Sequence, residues 1–128
     1  MGHELNIIVR EKYVEIISKG EKSYETSLNL WNRAVEVCKE NKCYKVLGIA
    51  TSTKAPSTID SYKHADLLHN FNIDYTFKIA WVELNPEEYG GIKFLENVLF
   101  NRGMNVKLFQ DVETAKSWLL DEENADNV

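Results

Sequence analysis

VLGIATSTKAPSTID, Val46–Asp60, moves within fifteen residues from a strand pattern to a helix start. Val46 to Ala50 is a short, nearly unbroken apolar run of the kind that parallel sheets bury on both faces. Pro56 brings a preset φ, Ser57 is a good N-cap, and Asp60 three residues later can complete a capping box. A buried strand that runs straight into a helix predicts a crossover, and crossovers imply parallel strands with right-handed connections. Between the two, hydroxyls crowd: five of the ten residues Thr51–Asp60 are serine or threonine.

The same change of period recurs on both sides. Upstream, Leu5, Ile7 and Val9 alternate with polar neighbours, Arg10-Glu11-Lys12 forms a polar corner, and Tyr13 to Ser18 is again rich in β formers, which predicts a hairpin closed by Gly20. From Ser23, Tyr24, Leu28, Trp31, Val35 and Cys38 recur at spacings of four and three, one stripe of a helix ending near Asn41. Downstream, Ile59, Tyr62, Ala65 and Leu68 give the helix from Ser57 a stripe as far as Asn70. Phe77, Ile79 and Trp81 alternate as a strand with one greasy and one mixed face. Asn85-Pro86-Glu87-Glu88 opens a helix that runs to Arg102 and stops at Gly103. Gly90 and Gly91 fall in its first turns, where each costs about 1 kcal/mol relative to alanine. Either the helix starts late, near Ile92, or a neighbouring segment needs the room. Val106 and Leu108 mark the last strand, and Asp111 caps a last helix whose Val112, Ala115, Trp118 and Leu119 face the core. The order is ββαβαβαβα: an α/β fold with a five-stranded, mostly parallel (mixed) sheet, an N-terminal hairpin and four helices.

The chain has 128 residues, 44% of them hydrophobic, which suits one ordinary core. We expect one domain over residues 5–120 and an acidic, fraying tail over residues 121–128. The net charge of −5 comes mostly from that tail, because the remainder holds 15 bases and 16 acids. A nearly neutral body lacks the concentrated basic footprint of nucleic-acid binding. No apolar run approaches the roughly 18 residues of a membrane span, and Met1 to Arg10 does not read as a secretory leader, so the expected compartment is the cytoplasm. Cys38 and Cys43, five apart, match neither a CxxC pair nor a zinc pattern and read as two reduced thiols in or near the core. His64 and His69 point to different helix faces, and no HExxH, phosphate loop or GxSxG elbow appears. No metal, no cofactor and no catalytic residue is expected, and the chain reads as a non-enzyme.

Asn101-Arg102-Gly103, Val106, Phe109, Asp111, Glu113, Ala115, Trp118 and Leu119 form the string NRGxxVxxFxDxExAxxWL. It resembles the C-terminal signature of the STAS-like superfamily, named for sulfate transporters and anti-sigma-factor antagonists, and within it the stand-alone, uncharacterised bacterial members. The resemblance covers roughly Leu5 to Leu120 and implies the alternating fold already read from periodicity. In phospho-switch members a serine in an Asp-Ser-Ser-Gly type turn, at the start of the helix after the third strand, accepts phosphate. The corresponding turn here is Ala55-Pro56-Ser57-Thr58, without the acid and the glycine.

Two functions remain open at this point. In one, Thr51, Ser52, Thr53, Ser57 and Thr58 form a polar rim at the carboxyl ends of the strands, where ligands of open α/β sheets gather, and the chain is a regulatory module that docks a protein partner. In the other, Tyr24, Trp31, Tyr62, Phe77, Trp81 and Trp118 line a pocket for a small apolar, lipid-like ligand. The bland readings are a solvated turn with Ser57 as a simple cap, and ordinary core aromatics. Ile8, Ala80 and Val82, on the mixed sheet face, suggest a homodimer through that face.

Overall fold

The hairpin turns where the sequence puts its polar corner. In this computed structural model, which describes residues 3–21 and 23–121, β1 (His3–Val9) and β2 (Val14–Glu21) pair antiparallel, and the Arg10 N–H closes the turn on the Tyr13 carbonyl at 2.9 Å. Of the expected acidic tail, residues 122–128 lie outside the described residues. Elements then alternate as α1 (Tyr24–Asn41), β3 (Lys45–Lys54), α2 (Thr58–Asn70), β4 (Lys78–Glu83), α3 (Tyr89–Asn101), β5 (Asn105–Phe109) and α4 (Val112–Leu119). The sheet order is β1-β2-β3-β4-β5, with every pair after the hairpin parallel.

Each parallel crossover steps one strand in the same direction. Right-handed connections of that kind leave their helices on one side, and α1, α2 and α3 share a core with one sheet face. Register builds that face in rows. Val14, Val46, Ile79 and Val106 form one row, and Ile16, Gly48, Trp81 and Leu108 the next. The row toward the carboxyl ends is Ser18, Ala50 and Glu83, followed by Gly20 beside Ser52. The face therefore runs from branched aliphatics at one end to small and polar residues at the other. Gly48 exists because the Trp81 indole lies across it: a Cβ there would stand 2.1 Å from Trp81 Cε3.

The opposite face is not the half-exposed surface expected from the mixed alternation of β4. α4 packs back across β3, β4 and β5 and buries Leu47, Ala80, Val82 and Phe109 with its own Ala115 and Leu119. Two of the three apolar residues read as a self-association face, Ala80 and Val82, are thus interior. Only Ile8 of that set stays outside the cluster, half-buried.

Helix ends follow local chemistry. Ser23 and Thr26 make a reciprocal capping box at α1, and the Asp111 side chain accepts from the Thr114 N–H at α4. Thr114, through that N–H and its hydroxyl, holds the Asp111 carboxyl below the usual range. Gly103, at φ 85°, ends α3 in the left-handed conformation that favours glycine.

Candidate functional site

β3 does not end at Ala50. It continues through Lys54, so Thr51, Ser52 and Thr53 obey strand alternation and cannot share one rim. Thr51 and Thr53 are exposed, while Ser52 turns under the helices and is 3% exposed. There its Oγ donates to Glu83 Oε1 at 2.6 Å, and its backbone N–H donates to Glu83 Oε2 at 3.0 Å. The Asn85 N–H reaches the same Oε2 at 3.0 Å, and Asn85 Nδ2 returns to the Ser52 carbonyl at 2.7 Å. Glu83, at 2% exposure, is a carboxylate buried with three donors around it. Such a charge is tolerable inside a protein only when hydrogen bonds replace the lost water. Sequence reasoning missed Glu83, although the alternation Phe77, Ile79, Trp81 continues onto it and puts it on the buried face.

A second carboxylate extends the clamp. Glu88 Oε1 accepts from the Ala55 N–H at 2.6 Å, tying the β3–α2 turn to the segment before α3. That segment is not the helix start expected at Pro86. Asn85 Oδ1 accepts from the Glu87 N–H in a side-chain turn, and α3 begins at Tyr89, earlier than Ile92. Both glycines are helical, and one of them answers to packing: a Cβ on Gly91 would sit 2.6 Å from Ala55 Cβ. The two loops at the carboxyl ends of β3 and β4 are thereby laced into one unit.

On that platform Ser57 and Thr58 are exposed. Ser57 Oγ accepts from the Asp60 N–H at 3.1 Å, the forward half of the expected capping box. Ser57→Ala is expected to lose about 1 kcal/mol in a urea melt, and Ser57→Asp to retain it, since Asp caps as well as Ser. Equal losses for the two variants would show that the hydroxyl, not the cap, is what α2 needs. Chemically the arrangement positions rather than reacts. Ser52 Oγ, the serine beside a carboxylate, is closed off, and the Glu83 oxygens are already taken.

α2 is rotated relative to the stripe read from its large residues. Ser61, His64, Ala65, Leu67 and Leu68 are buried, whereas Ile59 is 69% and Tyr62 48% exposed. α1 turns likewise: Ser27, Leu30 and Ala34 go in with Trp31, Val35 and Cys38, and Tyr24 and Leu28 stay out. A buried bond between the two helices fixes this phase, Ser27 Oγ to His64 Nε2 at 2.5 Å. His64 Nδ1 meets the Asp60 carbonyl at 2.7 Å. A carbonyl only accepts, so Nδ1 carries the proton, and in the neutral ring Nε2 accepts from the Ser27 hydroxyl. His64 is therefore an interhelical tie, and His69 is exposed on another face. Among the described residues no three His, Cys, Asp or Glu side chains group as a metal site.

The aromatics do not assemble into one chamber. Trp31 and Trp81 meet at 6.0 Å in the main core, Phe77 packs edge-on to Tyr44, and Trp118 lies on the opposite face beside Phe109. Next to the tryptophan pair, Leu68, Ile92 and Leu99 help enclose a cavity of about 40 Å³. Small-molecule sites occupy roughly 300–1,000 Å³. Seating a lipid there requires the helices to separate.

No family model and no curated protein matches the chain. Among solved structures, an anti-sigma factor antagonist from Mycobacterium paratuberculosis aligns over 94% of this chain and 96% of its own, with TM-score 0.63 and 10% identity. An uncharacterized protein with a SpoIIAA-like fold from Shewanella loihica aligns over 92% of this chain and 93% of its own, with TM-score 0.48 and 18% identity. The fold is STAS-like, as the C-terminal string and the element order lead one to expect. Among the described residues no helix is long and apolar enough to cross a membrane.

Proposed function

We propose that this STAS-like chain is a non-enzymatic, cytosolic regulatory module that docks another protein through the turn from Thr51 to Thr58 and the first turns of α2. The observation that carries the reading is the exposure of Ile59 directly after the exposed Ser57 and Thr58, on a turn held rigid from below. Tyr62 continues the patch and meets Phe94 of α3 edge-on, with ring centres 5.9 Å apart. Apolar and aromatic side chains rimmed by hydroxyls are the composition of a protein interface, and a fixed backbone reduces the ordering cost of association. The mycobacterial protein of the same fold is an anti-sigma factor antagonist, which fits a regulatory role. Ser52 has no part in the contact itself. Its role is to hold the strand end through Glu83.

Cross-linking in the native cell, with the linked peptides mapped by mass spectrometry, identifies the partner. The purified partner is then titrated against variants whose circular dichroism is unchanged. Ile59→Glu is expected to weaken binding at least tenfold, about 1.4 kcal/mol. Ser117→Lys, at an exposed position of α4 on the other side of the sheet, is expected to leave binding as it is. Wild-type affinity for Ile59→Glu removes the reading.

A further inference from the structure

α1 ends without glycine. Lys42 takes the left-handed conformation at φ 51° and ψ 41°, its N–H reaches the Lys39 carbonyl at 3.3 Å, and the Cys43 N–H returns to the Cys38 carbonyl at 3.1 Å. This is the six-to-one closure that frequently brings the side chains at the two ends of the turn into contact, and the Cys43 thiol lies 3.6 Å from the Lys12 carbonyl, beside the same turn. Here both ends are cysteines, and both thiols are reduced. Cys38 is fully buried in the main core, and Cys43, half-buried, packs against that same core. Burial first, and then charge on neighbouring Cys43, pushes the Cys38 thiol up to about 11. Disulfides bridge Cα separations of roughly 4.4–6.8 Å, and the 3.1 Å bond between the Cys43 N–H and the Cys38 carbonyl keeps the two Cα atoms within about 7 Å of each other.

Access is one-sided. Cys43 lines an open cleft of about 670 Å³ at the amino ends of the strands, opposite the hydroxyl turn, and Lys12, Lys42, Lys45, Glu11 and Asp121 line it too. Cys38 does not reach it. We propose that Cys38 and Cys43 form a redox-active dithiol, which a small anionic disulfide entering this cleft converts to an intramolecular disulfide across the end of α1, Cys43 reacting first.

The exchange balances in two steps. Cys43 releases its proton to water, and its sulfur attacks one sulfur of the reagent, RSSR. The reagent's S–S bond breaks, one RS⁻ leaves and takes up a proton, and a mixed disulfide remains on Cys43. Cys38 then loses its proton to water and attacks the Cys43 sulfur, and the second RS⁻ leaves. Two protein thiols are oxidised and RSSR is reduced to two RSH. Burial, the larger cause of the raised Cys38 pKa, slows this second attack relative to that of an exposed thiol.

The test uses the whole chain and oxidised glutathione. After incubation, remaining thiols are alkylated, and the protein is digested with trypsin without reduction. The expected result is loss of both thiols, a mass lower by two hydrogen atoms, and a disulfide-linked pair of peptides, Ala34–Lys39 with Cys43–Lys45. Dithiothreitol restores both thiols. Cys43→Ser, which keeps Cys38 packed, is expected to leave Cys38 unmodified under the same conditions. Two thiols that persist, a reaction that stops at a glutathione adduct on Cys43, linkage between two chains, or Cys38 reacting as fast in Cys43→Ser as in the parent would each overturn the proposal.

Discussion

Gly48→Ala is expected to lose at least about 3 kcal/mol of stability, the upper end of what overpacking a core usually costs. The added methyl would stand 2.1, 2.2 and 2.8 Å from three atoms of the Trp81 indole. Neither side can give way cheaply. Gly48 lies in the middle of a central strand, paired with Ile16 on one side and Trp81 on the other. The indole is packed against Trp31, and the cavity beside it, lined in part by Ile79, Leu95 and Leu108, is only about 40 Å³, small for an indole to move into. Domains of this kind hold only about 5–15 kcal/mol in total, so a large part of the fold's margin would go. Urea unfolding followed by tryptophan fluorescence measures it, with Gly90→Ala as the internal contrast. Nothing lies within 4 Å of a Cβ on Gly90, and replacing a helical glycine there is expected to add stability, up to about 1 kcal/mol. Combining Gly48→Ala with Trp81→Leu is expected to recover part of the loss, because the two residues compete for one volume. A Gly48→Ala protein with the parent's midpoint would mean that the indole has another place to go.

Much of this architecture was legible because strand and helix periods alternate cleanly and because Ser57 and Asp111, read as caps, function as caps. What the large residues could not reveal was helix phase. In α2 the stripe Ile59, Tyr62, Ala65 and Leu68 and the stripe Ser61, His64, Ala65 and Leu68 share their second half, and hydrophobicity favours the first. The folded chain takes the second. Small residues at Ser27 and Ser61 suit a close approach of α1 and α2, and the Ser27–His64 bond satisfies one of the two hydroxyls buried there, that of Ser27. Two bulky side chains are left outside as a result, and they supply the apolar part of the proposed docking surface. The covered second face of the sheet was hidden for a different reason. The apolar side of α4 is evident from Ala115 and Leu119, but nothing local says on which face of the sheet the last helix folds back. At the candidate site, Thr51, Thr53, Ser57 and Thr58 are exposed where the hydroxyl-rich stretch suggested. Ser52 is not, since β3 continues four residues past its apolar run and alternation decides which hydroxyls turn inward.

Glu83 is the side chain on which the proposed surface mechanically depends, and replacing it separates two ways in which a buried carboxylate can matter. Glu83→Ala removes the acceptor of the Ser52 N–H, the Asn85 N–H and the Ser52 hydroxyl at once. The hydroxyl can rotate; the two backbone donors cannot. At about 1–3 kcal/mol for each of the two unsatisfied N–H groups, the expected loss is about 2–6 kcal/mol. It should be accompanied by faster amide exchange at Ser52 and Asn85, whereas amides of the Val46 row keep their protection. Glu83→Gln poses the sharper question. Both N–H groups converge on Oε2, and the Ser52 hydroxyl donates to Oε1. An amide with its oxygen at the Oε2 position keeps the two backbone bonds, and its NH₂ can donate to Ser52 Oγ once that hydroxyl turns its own proton away. Geometry of acceptance therefore predicts a loss of less than about 1 kcal/mol for the amide, and partner affinity close to that of the parent. If Glu83→Gln proves as damaging as Glu83→Ala, the negative charge itself is what holds the strand ends. If Glu83→Ala leaves stability and exchange unchanged, the clamp is not what keeps the hydroxyl turn in place, and the rigid platform on which docking was argued is lost with it.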